Sequence, residues 1–281
     1  MIDNLRQRIG PFGVWHGGTP PADLAPAIER LGYGAFWVGG SPSGDLQVVE
    51  DLIAATTSLI VATGIVNIWK SDADEVARSF ARIQTRYPDR FVLGIGVGHP
   101  EATQEYRSPY ASLEGYVDTL LAAGVPAGSL VLAALGPRVL RLAAERTAGA
   151  HPYLVPSAHS RVAREVMGPA ALLAPEHKVV LDQDPDHARS LARKTVSRYL
   201  GLTNYTDNLR RMGFGDDDLT GSGSDALIDA LVAHGSTEQV VGQLRKHLSA
   251  GADHVAIQLL RHDDEDPIES FTALAQALRL P

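Results

Sequence analysis

Residues 90–100 read Arg-Phe-Val-Leu-Gly-Ile-Gly-Val-Gly-His-Pro. An apolar run of this kind, unbroken by charge, is what a strand buried on both faces requires. It follows a segment of helical period, 73–86, in which Val76, Phe80 and Ile83 share one face and Ser71 and Asp74 are spaced as a capping pair. A buried strand delivered by an amphipathic helix is one beat of a βα alternation. Gly94, Gly96 and Gly98 stand at alternate positions, and each weakens a strand, so propensity does not account for them. They read either as room for a flat ligand to approach the backbone or as tight packing inside a barrel mouth.

The same alternation extends in both directions. Upstream, apolar runs at 12–15, 35–38 and 59–66 are separated by two helical segments. The first carries Leu24, Ile28 and Leu31, opens behind Thr19, Pro20 and Pro21 and is stopped by Gly32; the second spans 46–55. Downstream come helix 113–123, strand 129–134, helix 137–148, strand 150–155, helix 157–167, strand 178–181 and helix 185–201. The rhythm then breaks: 203–233 reads as extra helices around a Gly/Ser/Asp loop at 215–224, before helix 237–250, strand 254–260 and helix 266–280. Eight strands, each followed by a helix, predict one (β/α)8 TIM barrel domain over 1–281, with extra helices before the last strand. A doubly wound open sheet would need a glycine-rich turn after the first strand, and none is there.

Composition narrows the function. At 44% hydrophobic and 21% charged residues the chain is globular rather than disordered. The net charge of −8, with scattered basic residues, gives no footprint for nucleic acid or an anionic membrane surface, which leaves a small molecule as the expected partner. Absence of cysteine removes thiolate nucleophiles and cysteine metal sites, so chemistry falls to His, carboxylates, Tyr or a bound cofactor. Neither a signal-peptide run nor ~18 uninterrupted apolar residues occurs, and a cytoplasmic protein is expected.

In a barrel of this type chemistry sits where strands end. His99 leaves the fourth strand, where an imidazole can donate a proton or hydrogen bond; the alternative is an uninvolved histidine. His16 ends the first strand, Gly39, Gly40 and Ser41 end the second, and His159 begins the loop after the sixth. Leu135-Gly136-Pro137-Arg138 joins the fifth strand to a helix, so that helix-end amides and a guanidinium can hold a phosphate, unless the Gly-Pro pair is ordinary turn chemistry. Asp253 and His254 start a strand and read as structural; the acidic runs 216–218 and 263–266 read as solvated loops and helix starts. No His-x-His or His-Glu-x-x-His occurs, and no metal is expected.

These residues resemble a family. Thr63-Gly64-Ile65-Val66, together with residues 87–98, is similar to the signature of the bacterial luciferase-like superfamily. Residues 133–138, 149–154 and 250–255 resemble its actinobacterial oxidoreductases dependent on the deazaflavin coenzyme F420. The resemblance implies a flavin or deazaflavin bound across the mouth, its ring backed by a strand-three bulge with a non-proline cis peptide. That bulge maps to Gly64, Ile65 and Val66, with Asn67 beyond it. The cis bond is expected between Ile65 and Val66, or failing that between Gly64 and Ile65. Gly96, Gly98 and His99 would lie beside the ring, Leu135, Gly136, Pro137 and Arg138 against the phosphate, and His159 at the rim. Sugar-phosphate dehydrogenases of this type carry Asp-His and then Trp at the end of strand two, where this chain has Gly39, Gly40 and Ser41, so their substrate does not transfer.

The implied function is hydride exchange between F420 and an organic substrate, with His99 as first and His16 as second choice of proton donor. The alternatives are an FMN-dependent monooxygenase and a non-catalytic flavin- or deazaflavin-binding barrel. Substrate and oligomeric state are left open, a homodimer included.

Overall fold

The computed structural model describes residues 2–98, 108–262 and 265–281. Its strands are β1 (Phe12–Gly17), β2 (Ala35–Gly39), β3 (Ile60–Thr63), β4 (Val66–Asn67), β5 (Phe91–Gly96), β6 (Leu130–Leu132), β7 (Gly149–Ala150), β8 (Leu172–Leu173), β9 (Glu176–Val180), β10 (Val232–His234) and β11 (Val255–Leu259). All pair in parallel, in the order β10-β9-β11-β1-β2-β3-β5-β6-β7-β8, with β4 also on β5. The path closes on itself because β8 and β9 are halves of one extended segment. On one side the Ala174 amide donates to the Ala150 carbonyl at 2.9 Å, and on the other the Ala256 amide donates to the Pro175 carbonyl at 2.9 Å. The result is the eight-stranded barrel, with β10 added outside where β7 stops short.

The helices are α1 (Ile2–Ile9), α2 (Leu24–Arg30), α3 (Gln47–Ala54), α4 (Ala73–Arg86), α5 (Pro109–Ala122), α6 (Pro137–Arg146), α7 (Ser157–Met167), α8 (Pro185–Leu200), α9 (Thr203–Arg211), α10 (Asp216–Leu219), α11 (Asp225–Leu231), α12 (Thr237–Ser249) and α13 (Pro267–Leu278). Strand parity sorts the core into layers. Phe12 and Val14 of β1 pack outward under the helices with Val76, Phe80 and Ile83 of α4, each worth ~1.5–3 kcal/mol when buried. Trp15 points into the barrel, with Trp37, Ile60, Val92 and Val131. A third cluster, including Val196, Leu209 and Leu227, joins α8, α9 and α11 to the wall.

Several boundaries depart from the sequence expectation. The strand expected at 59–66 is broken after Thr63, and the strand expected at 150–155 is reduced to β7. Residues 232–234, expected in part as helix, pair with β9 because Val232 and Ala233 are fully buried there. Asp72, not Ser71, caps α4, its carboxylate accepting from the amides of Asp74 and Glu75 at 3.1 and 3.2 Å. Among the described residues no helix is long and apolar enough to cross a membrane.

Candidate functional site

The break in strand three organises the mouth. Ala62 pairs with Val92 but Val66 with Ile95, so four steps along this strand match three along β5 and one residue is extra. The Gly64–Ile65 peptide in the break is cis without proline, whereas Ile65–Val66 is not. The glycines of β5 and of its exit face this feature: side chains at Gly94, Gly96 and Gly98 would run into the Thr63 carbonyl, the Ala133 and Ile65 side chains, and the Asn67 amide, respectively. Their first use is therefore to admit the neighbouring strand. Thr63 compensates the broken ladder, its hydroxyl donating to the Gly94 carbonyl and accepting from the Gly94 amide, both at 2.8 Å. The Trp15 indole donates to the Gly64 carbonyl at 3.3 Å.

Above the break lies a cavity of about 720 Å³, well within the range of cofactor sites. Gly64, Ile65, Asn67, Gly98, Leu135 and Gly136 line it, together with Trp15, His151, Tyr153, Tyr199, Tyr205 and Gln258. Other residues singled out from the sequence lie elsewhere. Val66 is fully buried, facing the helix layer, and Gly96 sits behind Ile65. His16 has the opposite parity to Trp15, so its ring falls 6.4 Å from that of Phe36 rather than in the cavity. His159 is buried on α7 behind the wall, where Nε2 donates to the Leu135 carbonyl at 2.8 Å and so braces a lining residue. His99 lies outside the described residues.

At the fifth-strand turn the guanidinium nearest Gly136 comes from a different arginine from the one expected. Gly136 caps α6 with no side chain serving its amides, and Pro137 occupies the first turn, leaving the Arg138 and Val139 amides at the helix end. Arg138 turns away, its guanidinium 3.7 Å from the Tyr110 ring centroid. The guanidinium over Gly136 belongs to Arg211 of α9, which borders the cavity; a methyl group on Gly136 would be 3.7 Å from Nη2. Lys70 and Arg198 add two further cations to the lining, against the carboxylate of Asp207, which pairs with Arg210 at 3.3 Å. A positive lining in a chain of net charge −8 is a local arrangement.

Another part of the lining is aromatic and protonated. Gln258 Oε1 accepts from the Tyr153 hydroxyl at 3.0 Å, so Tyr153 in turn accepts from the Tyr199 hydroxyl at 2.9 Å. Burial pushes both phenols up, keeping them neutral. Behind Tyr153, the buried Lys178 ammonium lies 3.8 Å from its ring centroid and 3.0 Å from each oxygen of Glu176. Among the described residues no group of three or more His, Asp or Glu side chains is placed to hold a metal ion.

Sequence reasoning missed Trp15, His151, the three tyrosines and Arg211. Alternation along Phe12, Val14 and His16 carries a signal for Trp15, since a strand that turns those three outward turns Trp15 inward. For α9 no such signal exists, because nothing local in its sequence says that it folds over the mouth.

Residues 19–124 match the family model of the luciferase-like monooxygenases. The fold is similar to that of an F420-dependent secondary alcohol dehydrogenase solved with an F420–acetone adduct (TM-score 0.74, 14% identity, 96% of this chain and 99% of that one). It is similar also to the coenzyme F420 dependent tetrahydromethanopterin reductase of Methanopyrus kandleri (TM-score 0.69, 15% identity, 96% and 98% covered). A third likeness is to the oxygenating constituent of 3,6-diketocamphane monooxygenase of Pseudomonas putida, solved with FMN (TM-score 0.67, 14% identity, 96% and 97% covered). No curated protein matches the chain in sequence. Residues 19–124 thus match the luciferase-like monooxygenase model in sequence, and the chain as a whole shares its fold with these three proteins.

Proposed function

We propose that the protein is an F420-dependent oxidoreductase acting on a small organic molecule in the barrel mouth. The observation that carries this reading is the anion cradle of Gly136, the α6 amides and Arg211, at the edge of a cavity backed by the Gly64–Ile65 break. The residues fit such a group: the cradle suits a phosphate, and the flat wall left by Gly64, Ile65 and Gly98 suits a planar ring. When bound, the deazaflavin supplies the hydride chemistry; the protein binds, orients and excludes water. Lys70 and Arg198, beyond what one phosphate needs, favour F420, whose side chain carries carboxylates past its phosphodiester, over FMN. Tyr153 and Tyr199 hold protons in the cavity lining, where a substrate oxygen can receive one.

The FMN-dependent monooxygenase reading stays in view because the fold is also that of a protein solved with FMN. Fluorescence titration of the purified protein with F420 and with FMN separates the two. Saturable binding of F420 in preference to FMN is the expected result, and preference for FMN transfers the assignment to the monooxygenases. Binding of neither removes both readings. Bound F420 without turnover on any ketone, alcohol or enone offered would leave a binding barrel.

A further inference from the structure

His151 follows β7 and lies inside the barrel, 1% exposed, stacked on Trp37 with centroids 4.1 Å apart and planes at 8°. Its Nδ1 is 2.7 Å from the Ala174 carbonyl oxygen. A carbonyl only accepts, so the ring proton is on Nδ1 and Nε2 presents a bare lone pair. Burial lowers the ring's pKa to about 4, so Nε2 takes up no proton of its own at neutral pH. Yet Nε2 is buried at the cavity wall and has no hydrogen-bond partner among the described residues. An acceptor of this kind is costly to leave bare, and it selects a ligand that brings a donor.

Its near neighbour in the cavity lining is Gly64. A methyl group there would lie 2.9 Å from His151 Nε2 and 2.7 Å from Trp15 Nε1. An acceptor nitrogen and a donor nitrogen therefore stand side by side against Gly64 in the cavity lining, beside the cis Gly64–Ile65 peptide. The Trp15 donor is held only by its 3.3 Å bond to the Gly64 carbonyl, long enough to be shared. The chemical complement of such a pair is a planar edge with an N–H next to a carbonyl. We propose that His151 Nε2 accepts the imide N–H of the bound cofactor's pyrimidine ring, with the Trp15 indole N–H serving the adjoining carbonyl. The proposal rests on the flavin-type reading above and holds for flavin and deazaflavin alike, since both carry that imide.

The test is a two-by-two binding measurement. Whichever of F420 and FMN the native chain binds is compared with its N3-methyl derivative, on the native chain and on His151→Phe, which keeps an aromatic ring against Trp37 but removes the acceptor. Dissociation constants come from fluorescence titration, without turnover. Methylation is expected to weaken native binding roughly tenfold or more, and His151→Phe to weaken binding of the parent ring similarly. On His151→Phe, methylation should then cost little. His151→Gln, which places Oε1 near the Nε2 position, should recover much of the parent affinity and the penalty for methylation.

Equal penalties on both chains, or a native chain indifferent to methylation, would overturn the assignment while leaving the flavin-type reading intact. Should His151→Phe fail to fold, the native and His151→Gln arms decide, since indifference to methylation in either overturns it. A native chain that binds neither F420 nor FMN defeats the parent reading, and this inference with it.

Discussion

The two ends of the barrel use the same residue types to opposite effect. At the amino-terminal end the Asp253 carboxylate accepts from Arg164 at 2.7 Å and from the Leu173 amide at 2.8 Å, and pairs with Arg6 at 3.4 Å. Beside it His254 donates from Nδ1 to the Gly10 carbonyl at 2.8 Å and accepts at Nε2 from the Trp37 indole at 3.0 Å. At the mouth, His151 Nε2 and Asn204 Oδ1, both from residues that line the cavity, are buried without a hydrogen-bond partner among the described residues. His151 and His254 flank the same Trp37 ring and both have a pKa lowered to about 4 by burial, so neither burial nor protonation state separates them. What separates them is whether the second nitrogen is used. Closed networks hold the barrel together, and open valences around a cavity mark where something binds.

The largest effect tests whether closure matters as much at the mouth. Lys178 and Glu176 are 0% and 1% exposed and neutralise each other. Lys178→Met leaves a buried carboxylate uncompensated, with an expected loss of ~3–5 kcal/mol at neutral pH in denaturant unfolding. Burial alone then holds the Glu176 pKa above its unfolded value. Such a group stabilises the fold below the unfolded pKa, and that stability is lost as pH rises through the folded pKa. The deficit of Lys178→Met relative to native should therefore shrink between neutral pH and pH 5, and adding Glu176→Gln should remove most of it. A deficit independent of pH would mean the cost is lost packing against Tyr153 instead.

Acid should act on both ends equally. His151 and His254 have an ordinary pKa of 6.5 when unfolded and about 4 when folded. The unfolded chain takes up the proton first, so stability is full above pH 6.5 and falls toward pH 4, by ~3 kcal/mol for each ring on a linkage of 1.36 kcal/mol per unit. His254→Phe removes its share of that slope and leaves the Trp37 N–H unpaired, costing ~1–3 kcal/mol. It should leave the affinity for F420 or FMN within about twofold. If it weakens binding as much as His151→Phe, the distinction between a closed and an open nitrogen fails.

Legibility in the sequence followed locality. Barrel architecture was readable because each βα unit declares itself within some thirty residues, by an apolar run and then a 3.6-residue period. Gly64 and Ile65 were placed by family resemblance alone; as pattern, Ala62 to Trp69 is a plain strand. His16 was drawn to the site because strand ends were located without their parity, which the pairing of Trp15 with Trp37 fixes. The wall of Tyr199, Tyr205 and Arg211 depends on where α8 and α9 settle, and the apolar cluster of Leu154, Val180 and Leu209 that settles them joins segments far apart in the chain.

The remaining comparison is between two arginines at one turn. Arg138 stands two residues after Gly136, and Arg211 comes from another helix, so sequence proximity favours the first and geometry the second. Arg211→Ala should weaken binding of the phosphorylated cofactor by ~1.5–3 kcal/mol, the range for hydrogen bonds to a charged group, and more steeply at low salt. It should leave binding of the dephosphorylated ring nearly unchanged, which separates a phosphate contact from a general loosening of α9. Arg138→Ala removes a guanidinium stacked on Tyr110. Its expected cost is ~0.5–1 kcal/mol of stability, as for an exposed cation–π contact, with the dissociation constant within about twofold. The main-chain amide of Arg138 still ends α6 in the alanine variant, so the helix-end contribution to the cradle survives the substitution. A large loss of affinity in Arg138→Ala with none in Arg211→Ala would return the phosphate to the arginine beside the turn, and would mean that α9 does not close over the mouth when the site is filled.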